Sequence, residues 1–284
     1  MIRLAWAIRV ASPLWFAGSS VFAAFPLGAQ QLTYTGSIQL ANGDYVFTER
    51  STSLYFANGL ALVSGRLRAS VSLPIVAQSA GWVQYTGGGI VPSGGMHRDS
   101  SASPGAGMRN GMMSPQSEAS HGEMGVGDPI GRLELDVLRD GWGAPMIRLA
   151  VAAKAPIASM GTGLGTGAWD VGAGFSVARV IRGTFLFADA MYWSLGDAPG
   201  LKLRDILSYG AAIGRPLRGG RYSVLASVLG TTPIITGVPA PLQAGTGLSF
   251  QTGSGRSLSV SALLGLTRSA PDVAIGLGWQ VPLR

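Results

Sequence analysis

The feature that most constrains this fold is an alternation of apolar with small or polar residues in segments of about ten residues. Val171 and Phe175 share one parity in such a segment, whereas Asp170 and Ser176 share the other. Successive side chains of a β-strand point to opposite faces, so the pattern predicts strands with one apolar face. Similar segments lie near residues 66–75, 132–137, 221–228, 242–250, 257–266 and 273–281.

Composition distinguishes a membrane barrel from a soluble sheet. Only 12% of the residues are charged, Gly accounts for 43 of 284, and there is no cysteine. The mean hydropathy is positive, at +0.32. We therefore predict an all-β fold, a transmembrane antiparallel up-and-down β-barrel. The alternative, a soluble β-sandwich or periplasmic barrel, explains the alternation but not polar faces made of Gly, Ser and scattered charge.

The connections between the predicted strands alternate in length, as they do in outer-membrane barrels with short periplasmic turns and long outer loops. Three strands, near residues 33–47, 53–63 and 66–86, precede the longest loop, and nine follow it. The total is about twelve, an even number, with ten or fourteen left open. We assign residues 30–284 to this barrel, with a long outer loop at about 87–125.

The first 29 residues have the order of a secretory signal peptide: basic residues, an apolar run, then small residues ending in Leu27-Gly28-Ala29. Cleavage is predicted after Ala29, or alternatively after Ala23 or Ala24. A first transmembrane helix is the other interpretation, although Ser, Gly and Pro interrupt the run. Export places the barrel in the outer membrane, with lipid and the outer-membrane assembly machinery as partners.

The charge pattern argues against nucleic acid as a partner. The formal net charge is +7, but the basic residues are dispersed along the chain and an exported protein meets no genome. Charge is costly against lipid, so charges on the polar parity are predicted to face the lumen. There they line a water path for a small-molecule solute or, alternatively, fill a closed lumen with ion pairs. These predicted lumen-lining residues are Arg66, Arg68, Arg132, Glu134, Asp136, Arg148, Lys154, Asp170 and Arg221.

Catalysis has little support in the sequence. Both histidines lie in the long loop, cysteine is absent, and no serine motif has a base beside it. The glycines at 161, 163 and 165 open no helix, so they do not form a phosphate loop. We predict a non-enzymatic protein without a cofactor.

Two motifs resemble a known family. Residues 154–158 (Lys-Ala-Pro-Ile-Ala) and 163–170 (Gly-Leu-Gly-Thr-Gly-Ala-Trp-Asp) frame one loop, and residues 125–128 (Gly-Val-Gly-Asp) open the strand after the longest loop. Together they resemble the outer-membrane proteins grouped as the phenol-degradation meta-pathway family, although Ile157-Ala158 stands where that pattern has Thr-Gly. The resemblance implies a barrel that takes up or exports small compounds, often aromatic.

The long loop concentrates soft metal ligands. It contains both histidines of the chain and five of its nine methionines. Thioether and imidazole groups suit copper, above all Cu(I). A solvated loop without a ligand is the competing interpretation. The candidate ligands are Met96, His97, Met108, Met112, Met113, His121 and Met124.

We expect a synthetic peptide of residues 94–125 to take Cu(I) from a competing chelator, because three or four soft ligands suffice for such a site. Binding should be weak, since ordering a flexible segment opposes it. The control peptide has every Met changed to Leu and both His changed to Ala. Equal copper uptake by the two peptides would falsify the metal hypothesis.

Overall fold

The computed structural model describes residues 30–47, 50–81, 83–92, 122–139, 144–158, 164–198, 201–252 and 255–283. Within these ranges no helix is long and apolar enough to cross a bilayer. The strands are β1 Gln31–Gly43, β2 Ser51–Ser64, β3 Leu67–Gln78, β4 Val83–Thr86, β5 Gly89–Pro92, β6 Glu123–Val126, β7 Ile130–Leu138, β8 Met146–Lys154, β9 Asp170–Ile181, β10 Thr184–Ser194, β11 Ile206–Leu217, β12 Tyr222–Thr231, β13 Leu242–Gln251, β14 Ser257–Gly265 and β15 Val273–Pro282.

The wall is a closed antiparallel barrel. From β7 to β15 each strand pairs with its neighbour in the chain, β15 pairs with β1, β1 with β2, and β2 with β3. Strand β3 closes the circle by pairing with both β6 and β7, which residues 127–129 separate. Because β6 and β7 occupy one position in the wall, the barrel has twelve strands. The predicted fold class and strand number are confirmed.

The outer surface of the wall is apolar. Leu264, Ile275 and Val151 are each more than half exposed, and they belong to the apolar parity of their strands. The opposite parity carries Gly, Ser, Thr and the charged side chains, which are mostly half-buried or buried. An apolar exterior on a closed barrel is stable in lipid and costly in water. The exterior is therefore the lipid-facing surface.

Aromatic side chains lie on this surface near both ends of the barrel. Tyr222 and Phe250 pack together at the end with short turns, with ring centroids 5.2 Å apart. At the end with long loops, Trp169, Tyr192 and Tyr209 are exposed. Aromatic rings favour the two membrane–water interfaces. The two groups thus mark where the wall enters and leaves the bilayer.

Residues 79–92 depart from the predicted strand at 66–86. Strand β3 ends at Gln78, and β4 and β5 form a separate hairpin that is paired only with itself. Val83 and Val91 in this hairpin are fully buried. The start of the predicted outer loop therefore lies inside the barrel. Alternation could not distinguish the two cases, because a hairpin strand and a wall strand have the same period of two.

The inner wall is chemically two-sided. Inward charged side chains are concentrated on β3 and on β7 to β10, whereas the inward parity of β12 to β15 carries Gly, Ser, Thr, Leu, Ala, Gln and Pro. Asp189 on β10 lies on the inward parity with the buried Met191 and Trp193.

A charge on the lipid face should destabilise the barrel. Val260 is exposed near the middle of β14, so Val260→Arg should lower the free energy of unfolding in bilayers by about 2–4 kcal/mol. The matched control is Ser261→Arg, which places the same charge on the inward parity one residue away. Denaturant titration in lipid vesicles, read by the gel shift between folded and boiled protein, measures both. Equal losses in the two variants would contradict the assignment of faces.

Candidate functional site

The hairpin β4–β5 crosses the lumen. Two residues before its turn, Tyr85 stacks on the inward Tyr55 of β2, with ring centroids 5.2 Å apart. At its turn, Gly87 lies so close to Trp193 that a Cβ there would be 2.5 Å from the indole ring. Gly88 lies as close to Ile206 of β11. The hairpin therefore reaches from β2 to β10 and β11, and glycine at the turn permits this approach.

A buried lysine lies beside the hairpin turn. The Lys154 Nζ atom is 2.9 Å from Asp128 Oδ2 and 3.3 Å from Asp170 Oδ2, and it donates a 2.7 Å hydrogen bond to Thr166 Oγ1. The side chains of Lys154, Asp128 and Asp170 are almost entirely buried. We call these four residues the lysine cluster. A buried charge is tolerated only when it is paired and hydrogen-bonded, and each charge here has both.

The carboxylates of the lysine cluster also hold backbone. Asp170 accepts hydrogen bonds from the amide N–H groups of Gly87, at 2.7 Å, and Gly196, at 2.9 Å. Asp128 accepts one from Ala158 N–H at 2.8 Å. The cluster thus ties the hairpin turn to the loops that follow β8 and β10.

The lysine cluster accounts for the motifs found in the sequence. Lys154 and Asp170 were predicted to line the lumen, and the structure brings them together in this buried position. Asp128 and Thr166 were not selected as site residues, although Asp128 ends the Gly-Val-Gly-Asp segment and Thr166 lies within the motif at residues 163–170. Their contacts join positions far apart in the chain, so no spacing rule could have paired them.

Five other predicted residues form an ion network on the inner wall. Arg148 Nε is 2.7 Å from Asp136 Oδ1, and Arg148 Nη1 is 3.3 Å from Glu134 Oε2. Arg132 Nη1 is 3.7 Å from Glu134 Oε1. Arg68 also belongs to the network, with its Nη2 atom 4.0 Å from Asp136 Oδ2. These three arginines share two carboxylates along the wall, toward the end with short turns.

The remaining predicted residues lie elsewhere. Arg66 and Arg221 occupy exposed turns before β3 and β12, where the chain reverses and strand parity no longer defines an inner face. Met124 is 75% exposed on β6, where it shares the outward parity with Val126. The other predicted metal ligands, Met96, His97, Met108, Met112, Met113 and His121, fall outside the described residues.

A cavity of about 120 Å³ remains beside the hairpin turn. Its border includes Tyr85 and the turn glycines on one side and the inner wall of β1, β12 and β13 on the other. The wall contributes Gln39, Leu229, Thr231 and Gln243. The lumen is therefore constricted at the hairpin, with the free space on the side away from Trp193.

No protein-family profile matches this sequence. No curated protein matches it either. Among solved structures, an outer membrane channel from Pseudomonas putida F1 is similar, with a TM-score of 0.63 and 14% identity over 92% of this chain and 97% of that chain. The beta domain of the Bordetella autotransporter BrkA gives a TM-score of 0.45, with 14% identity over 89% of this chain and 99% of that chain.

The closed barrel, its apolar exterior and the aromatic groups near its two ends define an outer-membrane β-barrel. Its fold is that of the Pseudomonas putida channel. The resemblance to the phenol-degradation meta-pathway family rests on the sequence motifs alone and stays a prediction.

Changing Lys154 to Met should release the hairpin. It leaves Asp128 and Asp170 buried without their cation, which costs about 3–5 kcal/mol when one partner of a buried pair is removed. The expected result is faster proteolysis at the hairpin and a lower free energy of unfolding. Lys202→Met, at an exposed loop position, is the matched control. Adding Asp170→Asn to Lys154→Met should recover part of the loss; no difference between Lys154→Met and the control would contradict the anchoring role.

Proposed function

We propose that this protein is an outer-membrane channel for small solutes, aromatic or amphipathic, which pass through the space between the hairpin turn and the opposite wall. The observation that carries the proposal is the cavity at the constriction. The hairpin is fixed toward β10 and β11, where Trp193 and Ile206 close against the turn glycines, and free space borders its other side.

The two-sided inner wall supports the same proposal. A strip of Gly and Ser leaves room along β12 to β15, whereas the ion network occupies the facing part of the wall. Water and a solute can follow the uncrowded strip, and the paired charges keep the lumen wettable. An apolar or aromatic part of a solute would contact Tyr55, Tyr85 and Leu229 at the constriction.

The rival function is a non-conducting structural barrel whose surface loop captures soft metal. In that case the hairpin closes the lumen permanently. We further propose that the chain is not an enzyme, that a signal peptide directs its export, and that the outer-membrane assembly machinery inserts it. The contacts of the described residues support transport over catalysis, because the buried titratable groups at the constriction already bond to one another.

Removing the hairpin should widen the path. Replacing residues 83–92 by a short Gly-Ser linker is expected to raise conductance in planar bilayers at least about tenfold, because an ion then crosses this level without losing its hydration shell. The control deletes ten residues of the same loop, 100–109, and keeps the hairpin. If the wild type passes neither ions nor small neutral solutes while the protein without residues 83–92 conducts, the hairpin closes the lumen permanently and the proposed function is wrong.

A further inference from the structure

The constriction is lined by side chains that carry no free charge. Among the described residues that border the cavity, only Lys154 and Asp128 are ionised, and each is fully buried in the lysine cluster. The Nζ atom already has three oxygen partners. Asp128 binds the lysine with one oxygen and the Ala158 amide with the other. Neither charge is available to a solute.

The neutral polar groups at the constriction are differently placed. Thr86 uses its hydroxyl within the hairpin, where it donates to the Gly89 carbonyl at 2.9 Å. By contrast, Gln243 Oε1 is buried and has no hydrogen-bond partner among the described residues, and the buried Tyr85 hydroxyl has the Ser53 side chain beside it. Both residues border the cavity. A buried polar atom without a partner is unfavourable, so a ligand that supplies the missing hydrogen bonds is favoured.

The ion network offers no unpaired countercharge to an ion at the constriction. Its nearest member, Arg132, lies two positions after Ile130 on β7, about 7 Å along the strand from the border of the cavity. The Arg132 Nη1 atom is already 3.7 Å from Glu134 Oε1, and the Nη2 atom donates to Met191 Sδ at 3.5 Å. An ion entering the cavity would therefore lose hydration without gaining a free opposite charge, and that exchange is unfavourable.

From these contacts we propose that the constriction is a filter for uncharged, hydrogen-bonding solutes, with Gln243 and Tyr85 as the residues that bind them, and that it rejects inorganic ions. This inference rests on the proposed function, because it names the substrate class of the same path. The solute donates a hydrogen bond to Gln243 Oε1 and exchanges one with the Tyr85 hydroxyl. Its carbon skeleton contacts the Tyr55 and Tyr85 rings and Leu229.

The test compares neutral and ionic flux through the mature protein in liposomes and planar bilayers. Glycerol and erythritol serve as neutral probes in osmotic swelling, and potassium chloride serves as the ionic probe in conductance. We expect liposomes that contain the wild-type protein to swell rapidly with both polyols. The potassium chloride conductance of the wild type should be at least about tenfold below that of the barrel lacking residues 83–92, because ions must lose hydration to pass the hairpin. Tyr85→Phe should slow polyol entry without raising conductance.

Gln243→Glu sharpens the test. A carboxylate in the cavity should attract cations and raise the cation-over-anion permeability ratio by about tenfold. The matched control is Gln280→Glu, which makes the same change on the inward parity of β15, away from the cavity. If a variant fails to fold, the comparison of polyol entry with potassium chloride conductance in the wild type still tests the proposed filter.

Two other outcomes separate the failures. High potassium chloride conductance in the wild type, unchanged by Gln243→Glu, would overturn the filter and leave the channel function standing. Absence of both polyol entry and conductance would overturn the filter and the channel function together.

Discussion

The interior of this barrel depends on one buried cation. Lys154 meets two carboxylates and a hydroxyl in a position closed to water, and those carboxylates also accept amide hydrogen bonds from three separate segments. Such an arrangement adds little to stability compared with an apolar core of the same shape, but it is intolerant of partial assembly. It therefore fixes where the hairpin sits more strictly than apolar packing would. The position of the hairpin in turn decides which side of the lumen stays free.

The wall and the interior differ in how far the sequence predicts them. Lipid on one side of the wall requires an apolar residue at every second position, so the alternation is continuous along strands such as β9 and β15 and the strands can be counted. Because long and short connections alternate, the count must be even, which gives twelve strands. The copper-loop hypothesis remains untested, since apart from Met124 its residues are outside the described ranges. The inward hairpin was missed because Val83 to Thr86 continues the same period inside the barrel. Periodicity states which residues share a face, not what the face touches.

The lysine cluster also shows what strand periodicity alone does not predict. Lys154 and Asp170 were selected as inward charges, and each lies on the inward parity of its strand. Their partner Asp128 sits in a break between β6 and β7, where parity has no meaning, and it meets Lys154 only because β7 and β8 pair in register there. By contrast, Arg66 and Arg221 were selected because they continue the two-residue alternation of the strand beside them. Both lie in turns, where that alternation no longer indicates which way a side chain points. The register in which the strands pair, rather than composition, therefore decides which of the predicted charged residues meet inside the barrel.

The anchoring of the hairpin also bears on how the barrel is assembled. Every bond of the lysine cluster joins residues between 87 and 196, whereas closure of the wall joins β1 to β15, the two ends of the chain. Contacts of shorter sequence separation have less loop-closure entropy to overcome, so the cluster is expected to form before the seam. A wall that closes around a hairpin already in place never exposes an unobstructed pore. A growing barrel of this kind would be inserted without leaking the contents of the periplasm.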